Sequence, residues 1–165
     1  MAREKRQLGL RALECALDRT RDAQTREEET AFYASVAEVV WWLTMLDEAL
    51  WATKRNGEQY ASVRSSDEGG SILLGVRYAR NRQVHDTEVT AMQGNPLLAL
   101  EEPDGDRWVW RSLDDEGVPP YDPREGDWGR EGERVYQRQM AGGAIVPTLE
   151  LAASFLNEWI VKMPD

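Results

Sequence analysis

The chain has 165 residues, 41% of them hydrophobic and 30% charged, with a net charge of −10, one His and one Cys. That is enough for one domain, 1–165, with a core of its own, and too apolar for disorder throughout. It excludes an internal disulfide, argues against zinc sites built on paired His or Cys, and disfavours a general nucleic-acid coat, whose affinity comes mainly from Lys and Arg.

The first helix is expected over about 6–21, with Leu10, Leu13 and Leu17 as its apolar stripe. Cys15 lies within it and reads as a small core residue. The second helix begins after Glu27-Glu28-Glu29, acids that suit its positive N-terminal end. Phe32, Val36, Val39, Leu43, Leu46 and Leu50 recur in steps of four and three and make one continuous seam. Trp41, Trp42, Met45 and Trp51 widen that seam, so burial on more than one side is expected. Asp47 and Glu48 read as solvent-facing, with a pairing to Arg80 as the alternative. Lys54-Arg55-Asn56-Gly57 supplies the stop.

A polar link is expected from Gly57 to Gly70, then a third helix from about Ser71 to His85 with the stripe Ile72, Leu73, Val76 and Ala79. Leu97–Ser112 reads as a β-hairpin, Leu98-Ala99-Leu100 against Trp108-Val109-Trp110, closed by Pro103-Asp104-Gly105-Asp106. Trp108 and Trp110 share one strand face and are expected to cover the bundle, with a stacking surface as the alternative. Residues 114–132 read as a long loop, 133–141 as a short helix, and Gly142-Gly143 as its stop. The last helix starts near Pro147, with Leu149, Ala152, Leu156, Ile160 and Met163 facing the core. The expected architecture is mainly α: a helical bundle of four main helices, with a β-hairpin (about 97–112) and a long loop inserted before the last.

The apolar run at the Trp pair stops at Thr44, far short of the roughly 20 residues needed to cross a bilayer. Met1-Ala2-Arg3-Glu4-Lys5-Arg6 opens a charged segment and not a signal peptide, so a cytoplasmic chain without a membrane partner is expected. No Gly-rich phosphate loop is present, and no cofactor or metal is called for.

One segment carries residue types suited to chemistry. Residues 76–85 hold Arg77, Arg80 and Arg82 with no acid. Arg80 falls on the stripe Leu73, Val76, Val84, so it needs a rim position, an acid, or another chain. Asn81 and His85, four apart, share a second face. Arg80 and His85, five apart, diverge by about 140° on an unbroken helix. A groove between two copies would let both point at one ligand. Read blandly, His85 caps helix carbonyls or pairs with Asp86 or Glu88, and Arg77 and Arg82 form a solvated face.

The run Arg80-Asn81-Arg82-Gln83-Val84-His85, an Arg, a polar residue, three spacers and a His, resembles the signature of the HEPN domain family. The resemblance implies a small helical bundle acting as a metal-independent ribonuclease, with two copies of the motif brought into one cleft by a homodimer. Many members are toxins or defence effectors, which implies a neutralising protein partner, and others are inactive scaffolds. By that resemblance Arg80 and His85 are the catalytic pair and Asn81 supports them. Arg77 and Arg82 are the candidates for holding RNA phosphates.

The chemistry suits these types. RNA carries its own nucleophile, the 2′-hydroxyl. Imidazole alone titrates near neutral pH without perturbation. Guanidinium grips phosphate oxygens through two donors and keeps its charge. Against this reading stands a noncatalytic protein-interaction role for an acidic helical chain.

Overall fold

The structure is a computed structural model and describes residues 3–53, 57–85, 93–94, 108–113 and 126–162. Within them the chain is mainly helical, with helices α1 (Arg3–Thr25), α2 (Glu29–Trp51), α3 (Gly57–Ser66), α4 (Glu68–His85), α5 (Gly126–Val135) and α6 (Ile145–Lys162). A two-residue strand pair, β1 (Gln93–Gly94) and β2 (Trp108–Val109), lies between α4 and α5.

The α2 seam is the centre of the bundle. Phe32, Val36, Val39, Leu43, Leu46 and Leu50 are all buried, and α1, α3, α4 and α6 all pack on α2. The stripes expected on α1 (Leu10, Leu13, Leu17), α4 (Ile72, Leu73, Val76, Ala79) and α6 (Leu149, Ala152, Leu156, Ile160) are buried as well. Burial of each such side chain stabilises by about 1.5–3 kcal/mol, so the apolar pattern outweighs any local propensity.

The turn from α1 to α2 is tight. Glu27 takes φ 58°, and the Glu28 amide donates back to the Ala23 carbonyl at 3.0 Å. This is a left-handed helix ending made with Glu, where Gly is usual. It folds the helices back on one another, so that a Cβ at Gly9 would stand 3.0 Å from Leu46.

Several expectations are corrected. The stretch 57–66 is helix and not a polar link, and α4 starts at Glu68. Residues 126–132 are helical, and α5 continues into a π-turn over Tyr136–Met140. β2 pairs antiparallel with β1, Gln93 opposite Val109 and Gly94 opposite Trp108. The segment 95–107, including the expected Asp-Gly turn, lies outside the described residues, as do 114–125 and Met163.

Trp108 stacks on Phe32 with ring centroids 5.3 Å apart, and the buried Trp110 meets Tyr136 edge-on at 6.1 Å. Both cover the bundle. The π-turn closes at Gly142, whose φ of 75° suits Gly and whose amide donates to the Trp110 carbonyl at 2.7 Å. Cys15 is exposed and not in the core. Trp41, Met45 and Trp51 are also exposed, so α2 is buried along its seam and not all round. No helix among the described residues is long and apolar enough to cross a membrane.

Candidate functional site

The candidate segment is the C-terminal half of α4. Apolar residues hold this helix down: Leu73, Val76 and Ala79 face α2 and α6, while Tyr78 packs on Tyr136 with centroids 5.5 Å apart. Gly132 of α5 lies so close that a Cβ there would be 3.0 Å from Tyr78.

The three arginines separate. Arg77 is spent on an ion pair, Nη2 donating to Glu48 Oε1 at 2.5 Å. Arg82 is 3% exposed, lies over the Tyr78 ring at 5.3 Å, and donates from Nε to the Tyr78 hydroxyl at 3.2 Å. The expected solvated face of Arg77 and Arg82 is therefore corrected: one is neutralised and one is buried. Arg80 is half-buried, and its Nε is shielded from solvent without a hydrogen-bond acceptor. Its guanidinium forms no ion pair among the described residues. An unmet buried donor of this kind costs about 1–3 kcal/mol, a cost that an arriving oxyanion would remove.

Asn81, next on the helix, is half-buried. α4 runs unbroken to its last residue, His85, so the backbone separates Arg80 and His85 by about 140° and about 7.5 Å of rise. The His85 side chain, and Asp86 and Glu88, lie outside the described residues.

The acids of α2 are also corrected. Asp47 does not face solvent and does not meet Arg80. It is 1% exposed and accepts from Arg64 Nη1 at 2.8 and 3.1 Å and from the Tyr60 hydroxyl at 2.6 Å. Tyr60 and Arg64 stand four apart on α3, so one helical face presents both donors. That spacing was the available signal, masked by the Ser- and Gly-rich composition of the stretch. Among the described residues no group of three or more His, Cys, Asp and Glu side chains could hold a metal.

Burial, then the Asp47 charge and hydrogen bond, push the Tyr60 hydroxyl above its ordinary value, with Arg64 opposing. A raised folded-state value means the contribution to stability is whole below the ordinary tyrosine value, about 10, and is lost as pH rises beyond it. Urea unfolding followed from about pH 9 to 11 should therefore show a falling alkaline limb. Tyr60→Phe should flatten that limb while lowering stability at neutral pH. An unchanged slope would assign it to other tyrosines.

No family profile, curated protein or solved structure matches the chain.

Proposed function

We propose that the chain is a metal-independent endoribonuclease of HEPN type, acting as a homodimer with Arg80 and His85 of two copies lining one cleft. The observation that carries this reading is the Arg80 guanidinium: half-buried, held by a packed helix, and without an acid or an acceptor among the described residues. A cation without a partner among the described residues, in a chain of net charge −10, is suited to an anion from outside. His85, at the end of the same helix, adds an imidazole, the side-chain type suited to general acid–base work.

In this reading His85 takes the proton of the RNA 2′-hydroxyl as its oxygen attacks phosphorus. Arg80 holds the charge gathering on the phosphorane oxygens, and the bond to the 5′-oxygen breaks as that oxygen takes a proton from water, while His85 returns its own proton to the solvent. The products are a 2′,3′-cyclic phosphate and a 5′-hydroxyl, with Asn81 steadying the phosphate. A toxin or defence role with a neutralising protein partner belongs to the same proposal, as does a cytoplasmic location.

The test is incubation of the purified chain with total RNA in EDTA. Cleavage is expected, reduced about 100-fold or more in His85→Ala and in Arg80→Ala. His85→Ala cutting at the wild-type rate would remove His85 from the mechanism. A second reading, a noncatalytic acidic scaffold, is favoured by the loss of Arg77 to Glu48 and of Arg82 to Tyr78. It predicts no cleavage by any of the three proteins.

A further inference from the structure

Two neighbouring acids of α2 hold two arginines, and they hold them differently. Asp47 and Arg64 are sealed, with side chains 1% and 5% exposed, and Arg64 Nη1 reaches both carboxylate oxygens, at 2.8 and 3.1 Å. Glu48 and Arg77 meet at the rim, 37% and 28% exposed, through a bond from Nη2 to Oε1. The first pair must stay joined, because separating it strands buried charge. The second lies open to water, where exchanging one oxyanion for another costs little.

The position of Arg77 makes that exchange useful. Arg77 stands three residues before Arg80 and four before Asn81. Residues so spaced are neighbours on a helix surface, with Cβ atoms roughly 5–6 Å apart. All three are half-buried, whereas the intervening Tyr78 and Ala79 are turned into the fold. Arg77, Arg80 and Asn81 therefore make one patch on the rim of α4. Among the described residues Arg80 Nε has no acceptor, and the stretch 76–85 holds no acid. Glu48, reaching over from α2, is the anion set against this patch.

We propose that the Glu48 carboxylate stands in for a nucleic-acid phosphate: on binding, the phosphate next to the one held by Arg80 displaces Glu48 and takes Arg77. This deepens the ribonuclease reading above and rests on it for the class of ligand. A phosphate offers guanidinium two oxygens at once, matching its planar fork, where Glu48 now accepts through one. A single phosphate reaches Arg80 without disturbing Glu48. A strand reaches both arginines with successive phosphates. Glu48 thus sets how tightly the chain grips RNA, and Arg77 supplies a grip that the unliganded chain conceals.

The probe is a short single-stranded 2′-O-methyl oligoribonucleotide. It carries the phosphates of RNA without the attacking hydroxyl, so binding is read apart from cleavage. Fluorescence anisotropy follows its binding over a series of salt concentrations. Glu48→Gln, with helical circular dichroism unchanged, should bind about three- to fivefold tighter than the wild type. Glu38→Gln is the control. It removes the same charge from another exposed arginine pair, Glu38 with Arg19, about 15 Å along α2, and should change affinity far less. Arg77→Gln should flatten the slope of log affinity against log salt by about 0.7, one phosphate contact on a single strand. It should also abolish the gain from Glu48→Gln. A gain no larger than that of Glu38→Gln, a gain that survives Arg77→Gln, or no binding by any of these chains overturns the inference. Cleavage of total RNA by the same samples separates it from the catalytic reading. An Arg77-dependent gain without cleavage removes catalysis alone, and cleavage by the wild type without that gain removes this inference alone.

Discussion

Asp47→Ala is expected to destabilise the fold by about 3–5 kcal/mol. The carboxylate is 1% exposed, and its partners are as deeply set: Tyr60 at 0% and Arg64 at 4%. Removing it leaves the Arg64 charge buried without its anion and strips the Tyr60 hydroxyl of its acceptor. Among the described residues Arg64 Nε already lacks an acceptor, so the guanidinium has little to fall back on. The contrast is with exposed pairs such as Lys162–Glu158, 73% and 63% exposed, where deletion should cost about 0–1 kcal/mol. Urea unfolding followed by circular dichroism reads both. A loss below about 1 kcal/mol for Asp47→Ala would mean that water reaches Arg64 and the cluster is not sealed. Replacing all three residues by well-packed apolar side chains should restore much of the stability, since the pair must also offset its own desolvation.

This cluster also shows where sequence reading stops. Apolar periodicity located the four long helices because burying a seam is the largest favourable term and leaves a regular trace: Phe32 to Leu50 on α2, Leu149 to Ile160 on α6. Polar burial leaves no such trace. Asp47 has Leu46 and Glu48 as neighbours, and only the fold decides that one acid is sealed and the next lies at the rim. The same blindness hid α3, a polar helix whose hold on the core comes from Tyr60 and Arg64. In the candidate site, the sequence fixes that Arg80 and His85 share a helix and lie on diverging faces. It does not show that Glu48 takes Arg77, or that Tyr78 takes Arg82, because those choices depend on how α2 and α5 with its π-turn press on α4. Trp41, expected to widen the buried seam, is 42% exposed. Its exposure follows from lying on the side of α2 opposite the seam.

Gly70→Ala should destabilise by about 1–2 kcal/mol, although Ala is the better helix former by about 1 kcal/mol. The reason is close approach. A Cβ on Gly70 would stand 2.6 Å from the Arg64 carbonyl oxygen, 2.9 Å from its Cα and 2.9 Å from the Phe155 ring. Two of those three atoms are backbone, so α3 and α4 must move apart. Gly75→Ala makes the useful comparison. Its nearest neighbour, Met140 Sδ at 2.5 Å, belongs to a flexible side chain, with the Tyr136 backbone further off at 3.1 Å, so the cost should be smaller. The displacement at Gly70 should not stay local. Arg64 is the residue whose guanidinium meets Asp47, so moving its backbone should loosen that pair. Gly70→Ala should therefore cost less in an Asp47→Ala background than in the wild type. The two changes should be non-additive by about 0.5–2 kcal/mol in a double-mutant cycle. Additivity within a few tenths would mean that α3 shifts as a body and carries Arg64 with it. The close Gly70–Arg64 packing would then set the angle between the helices without tensioning the buried ion pair.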